Sequence, residues 1–225
     1  MNTVSRTKLI AGALLALGFA TAAVPSHAVQ KGDWLIRGGV ARVSPNDSSG
    51  DISTIPGGTV GVDAANGLAI NVTYMTTDNV GVELLGSLPF KHDITGEGAI
   101  SALGKIAETK QLPPTLMLLY NFAPKSDVRP YAGLGVNHTI FFSEKVTSAL
   151  SGPGLATDIS LKDSTGIAVE VGVDVDLNKD WFFNASLWRM NIDTKATLKG
   201  GALDGSTVNV TIDPWALIVG VGKRF

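Results

Sequence analysis

The chain has no cysteine, only three histidines, and no surplus of either charge: 18 Lys and Arg stand against 20 Asp and Glu. Without cysteine there can be no disulfide framework, thiolate zinc site or cysteine nucleophile. The balanced charge lacks the basic excess that neutralises phosphates, so no nucleic-acid partner is expected. Charged residues make up only 17% of the 225 positions, whereas glycine occurs 26 times. That composition is unusual for a water-soluble domain and common in sheets that face lipid. Past the first 28 residues no apolar run approaches the about 20 residues of a transmembrane helix. A membrane location would therefore require a barrel.

The N-terminus reads as an export signal. Arg6 and Lys8 precede an uncharged apolar stretch at residues 9–23, and Ser26-His27-Ala28 offers small residues where a signal peptidase reads them. Cleavage is expected after Ala28, leaving residues 29–225 as one domain.

Beyond that point apolar and non-apolar side chains alternate with a period of two, which marks strands with two different faces. The pattern predicts strands at residues 33–43, 67–76, 80–90, 112–122, 128–142, 164–177, 181–194 and 208–225. One face is apolar, as in Leu68, Ile70, Val72 and Tyr74, or Val169, Val171, Val173 and Val175. The other is small or polar, as in Asn71 and Thr73, or Glu170, Gly172 and Asp174. A soluble barrel would turn its apolar face inward and clothe its exterior with Lys and Glu. The Gly, Asn, Ser and Thr of the second face suit a narrow, crowded interior instead.

Connector lengths agree. Residues 77–79, 123–127 and 178–180 are tight; residues 44–66, 91–111, 143–163 and 195–207 are long; and the two kinds alternate strictly. Outer-membrane barrels have short periplasmic turns, long outer loops and an even strand count. Trp34, Tyr74, Tyr120, Phe122 and Trp181 fall near the short-turn end, as an interfacial aromatic girdle would. The expected fold is all-β, an eight-stranded antiparallel transmembrane β-barrel in a bacterial outer membrane, with lipid and lipopolysaccharide around it. Glycine-rich, weakly charged connectors such as residues 47–58 are expected to be mobile.

Several stretches carry a family resemblance. They include Thr73-Tyr74-Met75, Asp78-Asn79, Gly81-Val82-Glu83-Leu84-Leu85, Pro89-Phe90 and Leu112-Pro113-Pro114-Thr115-Leu116. Further along come Arg129-Pro130-Tyr131, Ser160-Leu161-Lys162-Asp163-Ser164, Val171-Gly172-Val173-Asp174, Asp180-Trp181, Trp188 with Met190, and Asp213-Pro214-Trp215. In this order the chain resembles the OmpW family of outer-membrane proteins, which includes the AlkL-type alkane importers. The resemblance implies a narrow barrel, lined partly by apolar side chains, that takes up small hydrophobic compounds. It also makes Phe225 a C-terminal signal to the barrel-assembly machinery. Two positions depart from the family pattern: Thr165 and Lys223, where an aromatic and a tyrosine are usual.

No catalytic constellation emerges. His27 lies in the export signal, His92 in a long connector and His138 on the outward set, and no pair has metal-ligand spacing. Gly133 with Gly135 and Gly220 with Gly222 only faintly echo a phosphate loop, and no helix follows them. No enzyme activity, cofactor or metal is expected.

Ordering the inward residues along the barrel axis gives two zones. Glu83, Asp174, Asp176, Arg224 and Arg37 fall toward the short-turn end, where opposite charges would pair across the lumen as a polar plug. Higher up come Leu85, Met117, Trp188, Met190 and Ile218. These either fill a core or form an apolar pocket, and the resemblance favours a pocket, with Leu85 and Trp188 at its constriction. Pro89, Pro113 and Pro114 remove ladder donors at the upper ends of two neighbouring strands, which would weaken the wall there. The functional expectation is passive uptake of small hydrophobic molecules with lateral exit into the bilayer. A narrow ion or small-solute channel and a structural or surface-interaction protein are the alternatives.

Overall fold

The computed structural model describes residues 28–225; the expected export signal lies outside the described residues apart from Ala28. β-Branched and aromatic residues at alternate positions favour extended, pleated chain. The strands are β1 (Trp34–Ser44), β2 (Ser48–Ser49), β3 (Gly58–Val62), β4 (Ala65–Met75), β5 (Val80–Ser87), β6 (Phe90–Gly98), β7 (Lys105–Leu112) and β8 (Thr115–Asn121). They continue with β9 (Val128–Val146), β10 (Asp158–Leu161), β11 (Ser164–Asp176), β12 (Trp181–Met190), β13 (Asp193–Lys199), β14 (Thr207–Thr211) and β15 (Trp215–Arg224). A short helix, α1 (Ser148–Ser151), interrupts one outer connection.

Among the described residues, eight strands close into an antiparallel barrel in the order β1, β4, β5, β8, β9, β11, β12, β15 and back to β1. The last strand zips onto the first from Leu35 opposite Arg224 to Ser44 opposite Trp215. Closure pairs the backbone groups that lipid could not solvate. Of the described helices, none is long and apolar enough to cross a membrane; the strands supply the membrane-facing wall. The apolar set faces outward, with Leu68, Leu84, Leu116, Leu134, Val171 and Leu217 all exposed. Trp34, Tyr74, Tyr120, Phe122, Trp181 and Phe225 form the exposed belt at the short-turn rim. Lys223 sits with its ammonium 5.7 Å from the Trp181 ring and 4.6 Å from that of Phe225. Cation–π contact thus joins this unusual residue to the girdle.

Four expected strands run too long. The third stops at Ser87, before Pro89, and the fourth starts at Thr115, after Pro113 and Pro114. The seventh breaks at Asn191 and Ile192; the eighth breaks before Pro214, where Asp213 has a φ of 35°. Proline has no N–H for a ladder, so each of these prolines ends a barrel strand.

Above the breaks the chain forms a second tier in place of the expected loops. β3, β6, β7 and the upper half of β9 make one sheet, and β10, β13, β14 and β2 make another. Side chains stitch their edges together. Asp47 Oδ2 accepts from Val62 N at 2.7 Å and Ser49 Oγ from Val60 N at 2.8 Å. On the other side Asp163 Oδ1 accepts from Phe141 N at 3.0 Å and Glu144 Oε1 from Leu161 N at 3.3 Å. The segment expected to be mobile, residues 47–58, is therefore a tied piece of this upper wall.

Candidate functional site

The lumen is layered. Lowest are Arg37 and the acids that surround it. Its guanidinium grips Asp174 in a fork, Nη2 to Oδ2 at 2.8 Å and Nε to Oδ1 at 3.1 Å, and reaches Glu83 Oε2 at 2.9 Å through Nη1. Such bidentate, charge-assisted contacts are the strong ones. Asn71 Nδ2 and Thr73 Oγ1 donate to Glu83 at 2.8 and 2.6 Å, and Asn184 Nδ2 donates to Asp174 at 2.8 Å. Tyr131 stacks under Arg37 at 5.0 Å and donates to Glu170 Oε1 at 3.2 Å. Among the described residues the remaining Glu170 oxygen lacks a hydrogen-bond donor.

The other two expected plug residues make contacts of their own. Asp176 pairs with Arg129 at 2.6 Å, away from Arg37. Arg224 sits near the C-terminal end of β15, where its guanidinium donates to the Lys179 carbonyl in the turn. Arg129, Tyr131 and Glu170 are the members that sequence reasoning did not single out for the plug. Their signal was available, since all three lie on the inward register of β9 and β11. Glycines opposite the rings make the layer fit. A Cβ on Gly172 would come within 2.4 Å of Tyr131, and one on Gly222 within 2.3 Å of Phe182.

Above the plug, Trp188 and Met117 are fully buried, and the Trp188 indole donates to Ser186 Oγ at 2.9 Å. Next comes a small apolar chamber with a cavity volume of about 20 Å³, lined by Leu85, Met190 and Ile218 with Ala69, Phe90, Gln111, Pro113 and Pro214 among others. Three of the five expected apolar residues thus line it, while Trp188 and Met117 lie a step lower on their strands, beneath it. Within the second tier lies a larger apolar chamber, with a cavity volume of about 80 Å³. Its wall is mostly Ile, Leu and Val, and its polar side chains are His92, Thr109, Gln111 and Thr194. Gln111 lines both chambers. His92, expected in a loop, is a buried strand residue: burial pushes its imidazole below 6.5, outweighing the opposing pull of Asp63 and Asp93. His138 is exposed and bonds Thr165 Oγ1 at 2.8 Å, so Thr165 faces outward and does not line a pocket.

The wall beside the lower chamber has a gap. β5 and β8 pair up to Leu85 opposite Thr115, and β6 and β7 resume at Phe90 opposite Gln111. Between these pairs no backbone hydrogen bond joins the two sides among the described residues. The Pro113 carbonyl, which would meet Ser87, accepts instead from Thr115 Oγ1 at 2.9 Å and Asn137 Nδ2 at 3.2 Å. Among the described residues the buried Ser87 hydroxyl has no hydrogen-bond partner. Pro89 and Pro113 border this gap; Pro114 does not, because its carbonyl accepts from His138 N on β9. In an antiparallel ladder a residue's N–H and C=O point the same way, so the missing donor of Pro114 also faces β9.

The family model for OmpW matches residues 30–225, the whole barrel and its second tier. The chain belongs to the OmpW family. Outer membrane protein W of Vibrio cholerae is 42% identical over 213 residues, covering 94% of this chain and 97% of that one. Outer membrane protein AlkL of Ectopseudomonas oleovorans is 27% identical over 204 residues, 89% of this chain and 85% of its own. The crystal structure of OprG from Pseudomonas aeruginosa superposes with a TM-score of 0.83 at 40% identity, over 90% of this chain and 99% of that one. The OmpW-family fold and the outer-membrane location follow, and the OmpW family is one of membrane barrels, not enzymes. Among the described residues no group of His, Asp and Glu could hold a metal ion.

Proposed function

We propose that the barrel is a passive route for small hydrophobic molecules that leads from the cell exterior into the outer membrane. Cargo enters the upper chamber, passes Gln111 into the lower one, and is stopped from below by Trp188, Met117 and the Arg37 network. It leaves sideways through the gap between Ser87 and Pro113. The observation that carries this reading is the lower chamber itself, apolar and dead-ended below, with an unpaired stretch of wall at Ser87 and Pro113 on its side. An apolar molecule loses nothing by leaving water for such a lining, and gains again on reaching lipid. The family resemblance supports the same cargo class. An ion channel is less well supported, because a hydrated ion would have to cross both an apolar chamber and a plug already filled with paired charges.

The test is uptake of a medium-chain alkane by cells with the protein, without it, and with Ala69→Trp at equal outer-membrane levels. Ala69 lines the lower chamber, and an indole there would fill it. Faster uptake with the wild type, lost in the variant, is the expected result. Equal uptake in all three would overturn the proposal.

A further inference from the structure

Gln111 stands where the two chambers meet, and its orientation can be worked out from its neighbours. His92 Nδ1 lies 2.7 Å from the Asp63 carbonyl oxygen. A carbonyl only accepts, so Nδ1 carries the ring proton. In the neutral ring Nε2 is then an acceptor, and the Gln111 atom 2.9 Å from it must be the donating amide nitrogen. That leaves Oε1 as the free end of the amide. No donor meets it among the described residues. The other polar groups of the upper chamber are already engaged: Thr109 Oγ1 donates to the Lys110 carbonyl at 3.3 Å and Thr194 Oγ1 to the Lys162 carbonyl at 2.7 Å. Burial keeps the His92 ring neutral near pH 7, which holds the amide in this sense.

We infer that Gln111 is a specificity-determining residue that presents a fixed hydrogen-bond acceptor at the neck, and so favours slender apolar molecules ending in one donor, such as primary alcohols. The inference rests on the apolar route proposed above and adds a preference within it. A hydrocarbon passing the neck leaves Oε1 unpaired; an alcohol of the same length does not. Ser87 Oγ on the next chamber, buried without a hydrogen-bond partner among the described residues, can take the same hydroxyl toward the gap. Asp63 and His92 act through Gln111 as positioning residues.

The experiment compares two isomers, 1-octanol and 1-methoxyheptane, that have the same atoms but differ in having a donor. Each is titrated into the full barrel in lipid nanodiscs while the Gln111 side-chain amide is followed by NMR, and each competes with octane for uptake into proteoliposomes. The alcohol should bind about five-fold more tightly than the ether, the worth of one net neutral hydrogen bond. Gln111→Met should erase that preference, and His92→Phe, which frees the amide to rotate, should reduce it. Equal binding of the two isomers by the wild type would overturn the inference without any variant being needed. If octane does not enter but the alcohol preference appears in the NMR titration, the transport proposal fails and the assignment of Gln111 stands.

Discussion

Replacing Pro113 by valine should slow apolar uptake, and replacing its neighbour Pro114 should not. The strand alternation directs the N–H of residue 113 at Ser87 across the gap, whereas residue 114 faces β9. Valine at 113 restores one donor to the unpaired stretch and leaves the extended backbone unstrained. One net backbone hydrogen bond is worth about 1 kcal/mol, which shifts a two-state gap about five-fold toward closure. The Pro113 carbonyl would have to leave Thr115 and Asn137 to make a second bond, so a larger effect is not expected. Octane uptake by cells should fall about five-fold in Pro113→Val at equal outer-membrane levels. Hydrogen exchange at the new amide of position 113, read in nanodiscs, should be about five-fold slower than that of an unstructured peptide amide. Pro114→Val restores a donor only toward His138 and serves as the control. If the two variants behave alike, or if the amide at position 113 is protected without any change in uptake, lateral exit at this gap is refuted.

Arg37→Met leaves Glu83 and Asp174 buried without their cation and should destabilise the barrel by about 3–5 kcal/mol in urea unfolding from lipid vesicles. Adding Glu83→Gln and Asp174→Asn should recover most of that loss; no recovery would mean that Arg37 acts through packing alone. Gly67→Val places a side chain where a Cβ already comes within 2.7 Å of Phe90, so the ring must move and the lower chamber change shape. Uptake should drop while the barrel still folds, as judged by its heat-dependent gel shift. Lys91 and Lys105 hold the Glu108 carboxyl down at about 2 on the outer face of β7. Because the folded pKa is the lower one, the stabilising contribution is complete above 4.5 and is lost as pH falls through about 2; a carboxyl carbon NMR titration with a midpoint near 4.5 would contradict these bridges. His92 titrates below 6.5 in the folded protein, so its protonation opposes folding and the second tier should lose exchange protection as pH drops below that value.

The barrel was legible because lipid imposes a strict rule: outward residues must be apolar and inward ones must fit a small lumen. Val169, Val171 and Val173 against Glu170, Gly172 and Asp174 state that rule in six consecutive residues. The second tier was not legible for the same reason. Residues 91–111 have polar exteriors facing water, as in Lys91, Asp93 and Lys110, so the lipid-facing signal disappears although strands continue. Its inward members, Ile94, Ile106 and Phe141, are apolar, which reverses the polarity of the pattern below. The plug was half legible. Arg37, Glu83 and Asp174 share a level set by strand direction alone, but which acid takes which cation depends on register across strands far apart in sequence. Arg129 lies on the inward register of β9, but its acid Asp176 sits on β11, so that pairing too depends on register between strands. Gln111 carried no signal at all; its meaning arises from the ring of His92 and a carbonyl at Asp63.

β9 runs unbroken for 19 residues through both tiers, while the strands on either side of the gap are cut between them. One lip of the gap, β7 with β8, is laced to this strand above and below the break. The opposite lip, β5 with β6, leans on β4 and β3, which are themselves interrupted after Val62. Mechanically the wall resembles a door hung beside a fixed post. If cargo leaves as proposed, the unbraced leaf is the side that yields, so amide exchange beside the gap should be faster on β5 and β6 than on β7 and β8.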